Sequence, residues 1–87
     1  MNTNNLNETN KTDDAPDKIT RFKLAFVNNL KEARKENGLL QSEVADKIGC
    51  AVSTYANWEQ GRRDPSITDI FLLIEVLGIE ANDLFVI

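Results

Sequence analysis

Apolar positions recur with the period of an α-helix from Ile19 onward. Spacings of three and four place one set on a single helix face: Ile19, Phe22, Phe26, Leu30 and Ala33. We expect Asp17 or Thr20 to cap the start of this helix, and Gly38 suits the left-handed position that ends it. The same period predicts a second, shorter helix over Gln41–Ile48, which Gly49 breaks.

The rest of the pattern predicts three more helices. One covers about residues 52 to 60, and a last short one covers about residues 81 to 85. Between them, Ser66 and Asp69 form a variant of the capping box at the start of a helix over Ile67–Leu77. Its apolar residues lie on one broad arc: Ile67, Ile70, Phe71, Leu73, Ile74 and Leu77. We therefore predict a compact all-α fold of five helices, with no strand.

Residues 1 to 17 differ from the rest of the chain. They hold five asparagines, and Leu6 is the one sizeable apolar residue after Met1. Such a segment buries too little apolar surface to offset its ordering entropy, so we predict a disordered polar tail before a folded domain over residues 18 to 87. An arm that wraps a DNA groove is the alternative, although such arms are normally basic. The Asn-x-Thr triplets at Asn7 and Asn10 are interpreted as chance matches to a glycosylation acceptor.

Composition excludes several classes of protein. The 87 residues suit one domain, and neither a membrane-spanning run nor a signal-peptide core is present, so a cytoplasmic protein is expected. Cys50 is the single cysteine and there is no histidine, which removes intrachain disulfides, the usual zinc ligand sets and the commonest general base. We therefore predict no catalytic residues, no metal, no cofactor and no enzymatic activity.

The net charge of −4 weighs against a nucleic-acid partner, because DNA-binding proteins usually present a basic face. The first twenty residues hold two lysines and four acidic residues, and the remainder holds eight basic and ten acidic residues, so each part carries −2. Any affinity for DNA must therefore depend on where the charges lie.

Three stretches resemble the lambda-repressor-like helix-turn-helix family of the Cro/C1 or Xre type. They are "LKEARKENGLLQSEVADKIG", "STYANWEQGRRDPS" and "LLIEVLGIEANDL", and the resemblance extends over about residues 26 to 85. It implies a helix-turn-helix at the second and third helices and binding to double-stranded DNA. Ala45 and Gly49 are small residues where those two helices would cross closely.

The third helix has a candidate base-reading face. At about 100° per residue, Val52, Ser53, Ala56, Asn57 and Gln60 fall within about 140° of one another, opposite Thr54, Tyr55 and Trp58. By resemblance, the base contacts map onto Val52, Ser53, Ala56 and Asn57. Ser53 and Asn57 can hydrogen-bond to base edges, whereas Val52 and Ala56 offer apolar contact only. A solvated helix face is the alternative interpretation.

Other roles follow from the resemblance alone. Arg34 and Glu59 are expected to form a structural ion pair between the first and third helices. Phosphate contacts are expected from four residues, of which the arginines could equally be ordinary surface residues: Gln41, Gln60, Arg62 and Arg63.

Two departures from the family pattern weaken its DNA-binding features. Leu40 and Ala51 stand where the family usually has Ser or Thr caps, and each such loss costs about 0.5–2 kcal/mol of helix stability. The cap hydroxyl before the third helix can also face a phosphate in this family, and Ala51 cannot supply that contact, so we expect modest DNA affinity or a strong reliance on dimerisation. Trp58 is interpreted as a core residue rather than a base-stacking one, and Cys50 as a buried structural thiol rather than a redox sensor.

A partner surface is predicted on the fourth helix. Leu72 and Val76 lie four residues apart and off its main apolar arc, and Val86 and Ile87 could extend a dimer contact; packing against the N-terminal extension or the fifth helix is the alternative. We expect a small homodimeric repressor of the prophage, plasmid or mobile-element type that reads an inverted repeat. The competing hypothesis is a protein-interaction module or antitoxin with little or no DNA binding.

Overall fold

The computed structural model describes residues 17 to 86, which form five α-helices. Their bounds are α1 Lys18–Glu36, α2 Gln41–Ile48, α3 Val52–Glu59, α4 Ile67–Leu77 and α5 Ala81–Phe85. The predicted all-α class is confirmed, and no strand occurs within residues 17 to 86. The predicted disordered tail lies outside the described residues, apart from Asp17.

The predicted helix ends are largely those observed. Asp17 caps α1, because its Oδ1 accepts a hydrogen bond from the Thr20 backbone N–H at 2.8 Å. At the start of α4, Ser66 Oγ accepts from the Asp69 N–H and Asp69 Oδ2 accepts from the Ser66 N–H, each at 3.0 Å. Gly49 ends α2 with φ of +89°, a conformation that a side chain would strain.

The two departures at the helix starts have different outcomes. Neither Leu40 nor Ala51 offers a side-chain acceptor to its helix. At α2, however, Glu43 Oε1 accepts from the Leu40 N–H at 2.8 Å, which satisfies one backbone donor and places a negative charge near the positive end of the helix. The start of α2 is therefore better stabilised than the missing hydroxyl alone suggests.

One hydrophobic core lies between the helices. α2 packs against α3 and α4, while α1 packs against α3 and α5. Every described helix contributes to the buried set: Phe26, Leu30, Ala33, Val44, Ala45, Tyr55, Trp58, Leu73, Leu77 and Leu84. No helix within residues 17 to 86 is both long and apolar enough to cross a lipid bilayer.

The apolar arcs predicted for α1 and α4 are wider than the surfaces that become buried. Ile19 is 66 % exposed in α1, and Ile67 and Phe71 are 85 % and 58 % exposed in α4. The first turns of α1 extend past the core, where Phe22 stacks on Phe85 of α5 with ring centroids 5.2 Å apart. In α4 the neighbouring helices cover one side, so the flank that carries Ile67 and Phe71 remains in solvent.

The end of the fold is held to α1 by an asparagine. Asn29 Nδ2 donates to the carbonyl oxygens of Leu84 and Val86 at 3.0 and 2.8 Å. At the opposite end of α1, Asn37 Nδ2 donates to the carbonyl oxygen of Leu77, the last residue of α4, at 3.0 Å. These bonds tie the end of α4 and the end of α5 to α1.

Candidate nucleic-acid interface

The inward face of α3 anchors the helix. Tyr55 is fully buried and Trp58 is 4 % exposed, and their rings meet edge to face with centroids 5.9 Å apart. Trp58 is therefore a core residue, as predicted. Thr54 was expected on this face but is exposed, so the packed arc is narrower than the helical wheel indicates.

The outward face of α3 carries the four predicted base-contacting residues. Ser53 is exposed, Val52 is 47 % exposed, and Ala56 and Asn57 are half-buried. The face is uncharged, and its hydrogen-bonding groups are the Ser53 hydroxyl and the Asn57 amide. Such a surface can read an adenine edge or a thymine methyl, but it lacks the arginine or lysine that most often recognises guanine.

Two arginines lie directly after α3 because the chain turns back there. Gly61 has φ of +74°, and the backbone N–H groups of Arg62 and Arg63 both donate to the Asn57 carbonyl oxygen, at 3.0 and 3.4 Å. Arg62, Arg63 and the preceding Gln60 are all exposed. The predicted phosphate contacts at the exit of α3 are thus held close to the predicted base-reading face.

Gly61 also lies close to α1. A Cβ atom added at Gly61 would stand 3.7 Å from Val27 Cγ2, which is ordinary contact, so the positive φ and not crowding is what requires glycine. Beyond it, Lys23 of α1 and Asp64 form an ion pair of 3.1 Å. Both side chains are more than half exposed, so this pair adds little stability.

A buried carboxylate holds α3 to α1. Glu59 is 2 % exposed, and Arg34 binds it at two points, with Nε 2.6 Å from Oε2 and Nη2 3.1 Å from Oε1. The Tyr55 hydroxyl donates to Oε2, and Gln41 Nε2 donates to Oε1 at 3.0 Å. We call these four side chains the Glu59 network. It includes the ion pair that the resemblance implied.

The electrostatics of the Glu59 network favour the ionised carboxylate. Burial alone would raise the pKa of Glu59, but the hydrogen bonds from Arg34, Tyr55 and Gln41 outweigh it, and the pKa lies below its ordinary value. Burial, followed by the bond to Glu59, raises the pKa of the Tyr55 hydroxyl. The bond to Glu59 likewise raises the pKa of Arg34. The network therefore consists of a charged pair with a neutral phenol and a neutral amide.

Sequence reasoning missed the internal bond of Gln41. The residue was assigned to a phosphate contact, yet its side chain is half-buried and already donates to Glu59. Eighteen positions separate the two residues, so no helical spacing relates them. Only the crossing of α2 against α3 brings them together.

The predicted dimer residues have mixed exposure. Leu72 and Val76 are half-buried, Val86 is 53 % exposed, and Ile87 lies outside the described residues. Ile67 and Phe71, on the opposite flank of α4, are the more exposed apolar pair.

Cys50 is half-buried, and burial is the largest cause of the raised pKa of its thiol, which fits a structural role.

The arrangement of α2 and α3 defines a class of protein. α2 ends at a left-handed Gly49, residues 49 to 51 form a tight turn, and α3 follows with one buried and one exposed polar face. This is the helix-turn-helix arrangement. The helix-turn-helix family HTH_3 matches residues 30 to 84, and the chain belongs to this family of Cro/C1-type domains.

Relatives share sequence over the same region. The uncharacterized helix-turn-helix-type transcriptional regulator YqaE of Bacillus subtilis is 32% identical over 57 residues, which are 66% of this chain and 49% of YqaE. The antitoxin HipB of Escherichia coli O6:H1 is 38% identical over 54 residues, which are 62% of this chain and 57% of HipB. The matched region thus spans about half the length of these two relatives.

Solved structures share the fold. The restriction-modification controller protein C.AhdI of Aeromonas hydrophila superimposes with a TM-score of 0.68 and 33% identity, covering 72% of this chain and 96% of C.AhdI. A hypothetical transcription factor, NHTF of Neisseria, superimposes with a TM-score of 0.70 over 75% of each chain; at 22% identity it supports the fold alone.

Proposed function

We propose that this protein is a non-enzymatic, cytoplasmic transcriptional regulator that binds double-stranded DNA in a sequence-specific manner through α3. The observation that carries the proposal is the outward face of α3 beside the two arginines whose backbone is fixed to Asn57. Named relatives are transcriptional regulators and a restriction-modification controller, which supports the same role.

In this proposal phosphate contacts supply affinity, and base contacts supply sequence specificity. Arg62, Arg63, Gln60 and Gln41 bind phosphates, which supplies affinity and fixes the register of α3 in the major groove. Ser53 and Asn57 then hydrogen-bond to base edges, while Val52 and Ala56 contact thymine methyl groups. Because two arginines neutralise few phosphates, one copy of the domain binds DNA weakly.

Because one copy binds DNA weakly, the proposal includes a homodimer. Two copies would place two α3 helices about one DNA turn apart and read an inverted repeat, as expected of a small repressor from a prophage or plasmid. The proposed surface is α4 with Val86 and Ile87. Its candidate flanks are Leu72 with Val76, and Ile67 with Phe71, of which the second pair is the more exposed.

Paired substitutions separate the two flanks. Sedimentation equilibrium over a range of concentrations should give a dimer for the unmodified protein and a monomer for the double variant Ile67→Ser, Phe71→Ser. Ile19→Ser is the matched control, since Ile19 is 66 % exposed on α1. If only the double variant Leu72→Ser, Val76→Ser is monomeric, the interface lies on that flank instead. If the unmodified protein is a monomer at all concentrations, with and without DNA, the dimer is disproved.

DNA binding itself is tested with mixed genomic fragments. The fragments should be retained at low salt and released steeply as salt rises, because each neutralised phosphate releases counterions. Sequencing of the retained fragments should reveal an inverted repeat. Failure to retain any fragment at low salt would contradict the proposal.

A second candidate is an antitoxin or protein-interaction module. Its support is the similarity to the antitoxin HipB, together with the net charge of −4 and the uncharged face of α3. It predicts that retention on DNA is weak while the exposed flank of α4 binds a protein partner. The retention experiment distinguishes this candidate from the first.

A further inference from the structure

Every acceptor position of the Glu59 carboxylate is occupied. Oε1 accepts from Arg34 Nη2 and Gln41 Nε2, and Oε2 accepts from Arg34 Nε and the Tyr55 hydroxyl. A carboxylate has about four lone-pair sites, so the group is saturated by partners from α1, α2 and α3. Arg34 is itself fixed, because its Nη1 donates to the Leu39 carbonyl oxygen at 2.9 Å.

This saturated carboxylate determines which way the Gln41 amide faces. An ionised carboxylate only accepts hydrogen bonds, so the NH₂ end of the amide must face it and the carbonyl oxygen cannot. Nε2 has two hydrogens, and the bond to Glu59 uses one. Without Glu59, the amide would be free to rotate, and its two N–H groups would no longer be held in one direction.

Gln41 lies where the remaining N–H of its amide can donate a hydrogen bond to DNA. It is the first residue of α2, at the positive end of that helix, and its side chain is half-buried rather than enclosed. The same network also fixes the C-terminal end of α3, since Glu59 is the last residue of α3. One buried carboxylate therefore links the start of α2 to the end of α3.

We propose that Glu59 is a positioning residue for DNA binding, which holds the Gln41 amide so that its second N–H donates to a phosphate. This inference rests on the proposed function. It gives the buried carboxylate a role in recognition in addition to its role in holding α1 to α3.

The test combines side-chain NMR with DNA affinity. In ¹⁵N-labelled protein, the Gln41 NH₂ signals are assigned by their absence in Gln41→Ala. On addition of an operator-bearing DNA duplex, one Gln41 proton should shift while its partner, bonded to Glu59, stays in place. Gln41→Ala should weaken binding about tenfold, the usual worth of a hydrogen bond to a charged group, without changing the salt dependence.

Variants then separate positioning from folding. Glu59→Gln should shift both Gln41 protons and weaken DNA binding by about the same tenfold. In the Gln41→Ala background, the same change should alter affinity by less than about twofold, because the two residues act as one unit. Glu36→Gln is the matched control: it makes the same chemical change at an exposed carboxylate outside the Glu59 network and should leave the Gln41 signals and the DNA affinity unchanged.

The outcomes are distinguishable. If backbone amides of α3 shift with DNA but neither Gln41 proton does, the positioning role is wrong and the proposed function stands. Independent effects of Glu59→Gln and Gln41→Ala on affinity would also overturn it. If no signal in the protein responds to DNA, the proposed function itself fails. Should Glu59→Gln not fold, the response of the Gln41 protons in the unmodified protein decides the matter.

Discussion

The two faces of α3 differ sharply in the number of charged and hydrogen-bonded side chains that they carry. On the inward face, Tyr55 and Glu59 join Arg34 and Gln41 in a charged and fully hydrogen-bonded network. On the outward face, Ser53 and Asn57 supply the hydrogen-bonding groups between apolar side chains. The helix is thus strongly specified as a structural element and sparsely equipped as a reader of DNA. On the function proposed above, affinity for DNA would come from the flanking arginines and from a second copy of the chain.

The largest expected effect lies on the inward face. Arg34→Ala should cost about 3–5 kcal/mol of unfolding free energy, because it leaves the charge of Glu59 buried without its main partner. Urea denaturation followed by circular dichroism measures the loss as a lower midpoint at an unchanged slope. Lys35→Ala, at the exposed neighbouring position, should stay within about 0.5 kcal/mol. A loss for Arg34→Ala as small as that of the control would contradict the structural role.

On the outward side, Arg62→Ala with Arg63→Ala should weaken binding to all DNA sequences alike. The slope of log K against log salt should fall in magnitude by about 2, one for each lost phosphate contact, with stability almost unchanged. Fluorescence anisotropy at several salt concentrations measures both quantities. Lys18→Ala, an exposed cation at the start of α1, is the control and should leave the slope unchanged. A loss confined to one DNA sequence would show that the arginines read bases.

Asn57→Ala should act on a single base pair. Losing one bidentate contact is worth about 1–3 kcal/mol of discrimination, so preference should relax at one operator position while binding to other sequences changes little. Competition among duplexes that vary one base pair at a time measures this. Asn28→Ala on α1 is the matched control. A uniform loss over all sequences would assign Asn57 to positioning instead of reading.

Lowering the pH should perturb the inward face of α3 less than the substitutions do. Because the pKa of Glu59 is lowered on folding, its ionised form stabilises the fold above its unfolded pKa of about 4.3, and this stability is lost as pH falls towards the lower folded value. Thermal unfolding between pH 7 and pH 3 should show the decline, and Arg34→Ala should show a smaller one. Equal declines in both proteins would assign the acid sensitivity to other carboxylates.

Much of the fold was predictable because its signals are local. Helical spacing fixed the bounds of α2, α4 and α5, and the capping residues Asp17, Ser66 and Asp69 act within three positions of their partners. Exposure was less predictable. The pattern placed Ile67 and Phe71 with the core residues of α4, yet both lie in solvent, since a period shows which residues share a face but not how much of that face a neighbour covers.

The candidate site likewise has features that local spacing predicts and features that depend on packing between helices. The sequence alone determined the helices, their caps and the set of side chains on the outward face of α3, because these depend on spacing within one helix. The tertiary structure decided that Gln41 bonds to Glu59 and which apolar flank of α4 stays exposed. Both depend on how separate helices pack against one another, and spacing along one helix does not report that.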